Sequence, residues 1–475
     1  MKRRTRCIFV TLSVATALGL VGLVIVNIFL WRPLIFASRS ETIRVEGGLV
    51  QGLTQGGISV YRGIPFAAPP IGDLRWRTPQ PLVSWEGVRD ASAFSPACMQ
   101  QGESVPGLGI EPTSEDCLYL NVWTPADTAN ESLPVMVWLY GGGRHVGSGS
   151  ARLYWGERIA RKDVVVVTIN YRLGAFGMLA HPELSAETTY NASGNYLLFD
   201  QIAALQWVQS NIAGFGGNPR NVTIFGQSAG ATSISQLLVS PITDKLFHRA
   251  IAQSGGDLRT TPVTRSLAQA EQAGITFAEK LGADSIADLR AISAEEILTN
   301  DFIDFFDNGT PRGAHEINID GFVLTDTVRA LYTQGVQYNV PLLMGYNAGD
   351  NPDFHHGAGH NWARLHSQND GAVFAYYFTK VPPYPPFRFH GIAGHGAELI
   401  YLFGFPPPIF FYAVELPWNA SSDMALSDTI ISYWTNFAKH GNPNGEGLPY
   451  WPAFTADEKI LEIGNKLQTI RMLSY

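Results

Sequence analysis

Asn221-Val-Thr-Ile-Phe-Gly226-Gln227-Ser228-Ala229-Gly230 reads as a buried strand that enters a tight turn and then a helix. Val222, Ile224 and Phe225 supply the β-type run. Gly226 and Gly230 flank Ser228 at the spacing G-x-S-x-G. A serine on a sharp strand-to-helix turn has a strained backbone, and the positions two residues away must lack side chains for the turn to close. The following run, Ala231 to Val239, points a helix N-terminus at Ser228, where free N–H groups favour developing negative charge. Glycine and serine are common, so the motif alone fits a plain turn as well as a nucleophile. Its surroundings decide.

Upstream, Pro134-Val-Met-Val-Trp-Leu-Tyr140 is a continuous apolar run, the signature of a strand buried on both faces, and it ends in Gly141-Gly142-Gly143. Asp163 to Asn170 is a second such strand. Asp200 to Ile212 has helical apolar spacing. Downstream, Arg249 to Ser254 and Val340 to Gly345 read as strands, 263–305 as helical, and Asp423 to His440 as a helix stopped by Gly441-Asn-Pro443. Residues 41–97 read as short strands and turns. Strands alternating with helices predict an α/β fold with a mostly parallel, doubly wound sheet.

The chain has 475 residues, 45% hydrophobic and 16% charged, with a formal net charge of −8. No basic patch lies beyond the extreme N-terminus, which argues against a nucleic-acid partner. Lys2, Arg3, Arg4 and Arg6 precede an apolar run from Cys7 to Trp31. That run exceeds the ~7–15 residues of a cleaved leader and meets the ~20 of a spanning helix. Residues 1–37 are therefore expected to be a membrane anchor with its basic end in the cytoplasm, cleavage near Ala37 being the alternative. Either places the body, 41–475, outside the cytoplasm. Cys98 and Cys117 fit one disulfide in an oxidising compartment, or two free buried thiols.

Gly226-Gln-Ser-Ala-Gly230, Tyr140-Gly-Gly-Gly143 and Glu115-Asp-Cys-Leu-Tyr-Leu-Asn-Val-Trp123 together resemble the type-B carboxylesterase family, which includes cholinesterases, para-nitrobenzyl esterases and neuroligins on the α/β-hydrolase fold. The resemblance runs from about residue 41 to the C-terminus through Tyr61-Arg-Gly-Ile-Pro-Phe66, Phe215-Gly-Gly-Asn-Pro219 and Trp434 to Pro443. It implies that Ser228 is the nucleophile and that His395, in Gly391-Ile-Ala-Gly-His395-Gly-Ala-Glu, is its base. Serine needs such a base, and histidine titrates near neutrality. The family's acid is a glutamate in Gly-x-Asn-x-x-Glu. The match here is Gly345-Tyr-Asn347-Ala-Gly-Asp350, so Asp350 takes that place one methylene short, with Asp353 the nearest substitute and Asp320 and Asp326 too early in the chain. The oxyanion hole maps onto the amides of Gly142, Gly143 and Ala229. The resemblance further implies a Cys98–Cys117 disulfide, buried ion pairs Arg62–Glu115 and Arg172–Asp200, and a supporting Ser254 beside the acid and base.

Four departures bear on activity. Gln227 stands where many members have glutamate, which weakens the case for cationic substrates. The loop between Cys98 and Cys117 has no aromatic residue, so the tryptophan that cholinesterases use for choline is absent. Arg144 replaces the aromatic that usually follows the glycine run and alters the acyl side of the pocket. Only 44 residues separate Asp350 from His395, which implies a shortened helical cap and a more open mouth. That stretch holds His356 and His360 at i,i+4, but Gly357 and Gly359 disfavour a helix and no H-E-x-x-H arrangement is present, so no metal is expected, nor any cofactor. Phe405 to Tyr412 reads as an apolar pocket wall or a membrane-facing lip. The expected function is a serine carboxylesterase acting on small-molecule esters through an acyl-enzyme. The alternative is a weakly active or inactive membrane-displayed interaction domain of the same fold.

Overall fold

The computed structural model describes residues 37–101, 112–258, 264–301, 315–352, 359–369, 371–382, 388–404 and 420–472. The N-terminal apolar run, His355, His356, Asp353 and the 405–412 segment lie outside them. Among the described residues no helix is long and apolar enough to cross a membrane.

One large sheet organises these residues. Its strands are β1 (Ser38–Val45), β2 (Gly48–Gln55), β3 (Ile58–Pro65), β4 (Tyr119–Thr124), β5 (Leu133–Leu139), β6 (Val165–Ile169), β7 (Gly217–Gln227), β8 (Arg249–Gln253), β9 (Leu342–Asn347), β10 (Val373–Phe378), β11 (Lys459–Ile463) and β12 (Leu467–Arg471). They lie in the order β1-β2-β3-β4-β6-β5-β7-β8-β9-β10-β11-β12, with the short strand Val88–Asp90 added beside β2. From β6 through β11 every neighbouring pair is parallel. The first four strands and β12 pair antiparallel at the two ends. The parallel strands are the continuous apolar runs: every residue of β6 and β9 is buried. Both faces of such strands must be covered, and helices cover them. Helix α1 (Tyr196–Asn211) is buried along most of its length. Helix α2 (Ala229–Leu237) follows β7, and α3 (Ala420–His440) packs against β5 and β7. The 263–305 segment supplies the helices Leu267–Lys280, Ile286–Ala291 and Ala294–Asn300. The first of these opens on a reciprocal cap between Ser266 and Gln269.

Covalent and ionic ties brace the layer around the site. Cys98 and Cys117 are joined in a disulfide, the paired reading of the two cysteines. Arg172 and Asp200 form the buried ion pair that the resemblance implied, with Nε–Oδ2 at 2.8 Å and Nη2–Oδ1 at 2.7 Å. The other implied pair is different. Glu115 is held not by Arg62 but by Arg75, whose Nε and Nη2 each lie 2.6 Å from its two carboxylate oxygens. Nη1 of Arg75 also donates to the carbonyl of Ile292 at 2.7 Å, tying this pair to the Ile286–Ala291 region. Arg62 donates instead to the carbonyl of Ser92 and lies over the rings of Phe94 and Trp155. A planar guanidinium pairs bidentately where its fork fits, and proximity in a motif does not determine which arginine that is.

Removing one partner of a buried pair leaves the other charge uncompensated, at a cost of about 3–5 kcal/mol. Arg75→Met is accordingly expected to lower the denaturant midpoint strongly, and more than the control Arg172→Lys, which keeps the charge opposite Asp200. Equilibrium urea unfolding of the two variants checks the ranking.

Candidate active site

The sequence-predicted residues converge at the carboxyl edge of the parallel strands. Ser228 follows β7 with φ 56° and ψ −119°, a left-handed backbone for a residue with a side chain, and it caps α2. The turn depends on its neighbours. A Cβ on Gly230 would lie 2.0 Å from the carbonyl oxygen of Leu139, and one on Gly226 2.7 Å from the same atom. Both are backbone collisions that no rotamer relieves. Gly142 and Gly143 follow β5 with φ 108° and 63°. The carbonyl of Gly142 is taken by the amides of His145 and Val146, which folds the glycine run into a turn. Ala229 is the first residue of α2, so its N–H has no intrahelical acceptor by position.

Asp350 lies three residues beyond β9 and His395 in the segment after β10. His395 Nδ1 stands 2.6 Å from Asp350 Oδ1. The carboxylate of Asp350 is fully buried and its other oxygen accepts from the amide of Asn347 at 2.7 Å. The methylene missing relative to glutamate therefore does not prevent contact with the imidazole. Among the other acids, Asp320 accepts from the amides of Phe322, Val323 and Leu324 and from Asn195, and Asp326 from Thr327, so both serve local turns.

With Nδ1–H given to Asp350, Nε2 of His395 carries the lone pair, and the Gln227 side-chain amide donates to it across 3.1 Å. Gln227 thus meets His395 directly before Ser228 in the chain. Ser254 follows β8 with φ 51°, and its hydroxyl stabilises the Asp350 carboxylate electrostatically without a hydrogen bond of full geometry.

Burial raises the cost of the Asp350 charge, but the His395 imidazole and its hydrogen bond win and hold the carboxyl below its ordinary range. The His395 side chain is 42% exposed, yet desolvation on its packed side opposes protonation. The Asp350 charge and hydrogen bond outweigh it, with Glu398 adding to them, and its pKa rises above the ordinary 6.5.

Two contributors escaped the sequence reading. Glu398, three residues after His395, is 1% exposed and accepts from Gln253 Nε2 at 3.0 Å and Asn347 Nδ2 at 2.5 Å. Burial pushes its carboxyl up. Nδ2 of Asn347 also donates to the carbonyl of Gly394 at 2.9 Å. One asparagine therefore joins the loop of Asp350, through its backbone amide, to the loop of His395, through its side chain. Its place in Gly345-x-Asn347-x-x-Asp350 and that of Glu398 in His395-x-x-Glu398 were visible, but a carboxyl's burial is a tertiary property. Of the histidines weighed as a metal pair, His360 faces Glu458 at 3.1 Å. Among the described residues no cluster of three ligating side chains has metal-binding geometry.

Comparison with known proteins follows this geometry. The family model described as "Carboxylesterase family" matches residues 39–358 and 353–474. Fumonisin B1 esterase of Sphingopyxis macrogoltabida is 36% identical over 89% of this chain and 86% of its own length. Pyrethroid hydrolase Ces2e of Rattus norvegicus is also 36% identical, over 89% of this chain and 85% of its own. Among solved structures, a PNB esterase superposes with a TM-score of 0.78 at 29% identity, covering 90% of this chain and 97% of its own. The carboxylesterase EST55 of Geobacillus stearothermophilus gives 0.76 at 30%, covering 91% and 97%. The chain belongs to the carboxylesterase family, has its α/β-hydrolase fold, and is a carboxylic ester hydrolase.

Proposed function

We propose that this hydrolase works through a covalent acyl-enzyme with Ser228 as nucleophile, His395 as general base and acid, and Asp350 as the group that orients His395. The observation that carries the reading is the 2.6 Å contact between the buried Asp350 carboxylate and His395, made beside the strained turn of Ser228. Ser228 Oγ attacks the ester carbonyl carbon as His395 Nε2 takes its proton. The carbonyl oxygen becomes an oxyanion, met by the amides of Gly142, Gly143 and Ala229. The bond to the alcohol oxygen then breaks as His395 returns the proton to it, leaving the acyl group on Ser228. Water repeats the attack, giving its proton through His395 to Ser228, and the carboxylic acid leaves. Gln227 must release Nε2 before Ser228 or water uses it. Its amide is a neutral donor that holds the imidazole in the tautomer the first step needs.

In the same reading 41–475 is one hydrolase domain, and 1–37 directs it out of the cytoplasm, as an anchor or as a leader cleaved near Ala37. The basic start, the long apolar run and the Cys98–Cys117 disulfide support that placement.

Hydrolysis of short- and medium-chain para-nitrophenyl esters tests the mechanism. Ser228→Ala is expected to lower kcat by about 10⁴-fold or more. Asp350→Asn is expected to lose about 10⁴-fold, because the imidazole loses its orientation and the charge that stabilises its protonated form. Retention of either activity would overturn the assignment.

The pH profile gives a second test. Neutral His395 is the working base, and its pKa is raised. Activity is therefore expected to fall as pH drops through a midpoint above 6.5. Gln227→Glu places a negative charge against the imidazole and is expected to move that midpoint to higher pH. A kcat/KM profile of the two proteins between pH 5 and 9 reads both effects.

A further inference from the structure

We propose that Arg144 binds a carboxylate carried on the acid half of the ester, so that the preferred substrates are half-esters of dicarboxylic or polycarboxylic acids. This rests on the Ser228 reading above and adds the substrate class to it.

Arg144 directly follows the second oxyanion glycine and has φ 69°, so the turn that presents the Gly142 and Gly143 amides also sets the direction of its side chain. The guanidinium is only 12% exposed. Among the described residues its ion-pair partner is Glu316, held through Nη1 at 3.1 Å. Nε is buried and, among the described residues, has no hydrogen-bond partner. The end-on contact at Nη1 leaves the Nε edge of the fork, the edge that grips a carboxylate bidentately. A buried cationic N–H without an acceptor is costly, and an incoming carboxylate supplies the acceptor.

The charge around the pair favours an anion. Glu316 is acted on by Arg144 and Arg265, and burial pushes its carboxyl toward the neutral acid. Asp257 also faces it, but accepts from Thr264 and Gln236. On the other side of Ser228, Gln227 places a neutral amide where a carboxylate would repel such a substrate.

Position assigns this carboxylate to the acid half. In the tetrahedral intermediate the oxyanion lies on the glycine amides, and the leaving alcohol lies within proton reach of His395 Nε2. The acid half takes the remaining direction. His395 feels the charges of Asp350 and Glu398. Arg144 acts on His145, Tyr171 and Glu316. Arg144 is thus carried by the glycine loop itself, next to Gly143, with its guanidinium directed at Glu316.

The test compares mono-para-nitrophenyl glutarate with para-nitrophenyl pentanoate, which differ by a carboxylate in place of a terminal methyl. The full chain is assayed in detergent, and the rate measured with the Ser228→Ala protein is subtracted from each. The wild type is expected to favour the glutarate by at least about tenfold in kcat/KM. Arg144→Gln is expected to reduce that ratio to one or below. Glu316→Gln removes the internal competitor for the guanidinium and is expected to raise it. A wild-type ratio of one or less, or a ratio unchanged in Arg144→Gln, overturns the proposal while pentanoate turnover keeps the Ser228 reading intact. Absence of turnover with both esters overturns both. Should Arg144→Gln misfold, the wild-type ratio together with its direction of change in Glu316→Gln decides.

Discussion

The close approach of the backbone at Gly226 and Gly230 to the carbonyl of Leu139 is the constraint on which the site is built. Parallel β5 and β7 place their carboxyl ends side by side, with Gly226 opposite Leu139. One strand delivers the glycine run, the other delivers Ser228. Because no side chain separates them, Ser228 and the amides of the glycine run emerge side by side. A methyl group at either glycine would push the strands or the turn apart, and the strained backbone of Ser228 would lose its support. The rest of the sheet serves this contact. Strands β8 and β9 continue the same edge and bring Ser254 and Asp350 to it.

The loops beyond the sheet are held by neutral amides more than by charges. Asn347 ties the acid's loop to the histidine's loop, and Gln253 links Glu398 to the indole of Trp434 on α3. Such a network is stable only if every member is satisfied, since a half-satisfied buried amide costs more than an apolar replacement. Charge pairs brace the outer layer, where Arg75–Glu115 and Arg172–Asp200 join segments distant in sequence.

Local pattern carried much of this fold. The strands around Ser228, the glycine run and the Asp423–His440 helix were legible because apolar runs, glycine spacing and a stop signal are properties of contiguous residues. Ser228, His395 and Asp350 were legible from motifs, and the structure brings His395 and Asp350 into contact. What escaped depends on partners far apart in the chain. The choice of Arg75 over Arg62 for Glu115 depends on where a turn 40 residues away directs its guanidinium. Strand β10, Val373-Phe-Ala-Tyr-Tyr-Phe378, was not singled out, although it is paired on both edges and is itself a continuous run of β-favouring residues. The burial of Glu398 has no local signature at all.

In the proposed mechanism the electrostatics of His395 account for a neutral residue directly before Ser228. His395 already has Asp350 against Nδ1 and Glu398 behind it, and each favours the imidazolium. This helps the step in which His395 holds the serine's proton, but every further negative charge also favours protonation before the reaction begins, and a protonated base is idle. A third carboxyl at position 227, against Nε2, would push the balance toward the idle form. Gln227 meets the same nitrogen with a donor of no net charge. It therefore favours the lone-pair tautomer required at Nε2, where a carboxylate would favour the proton.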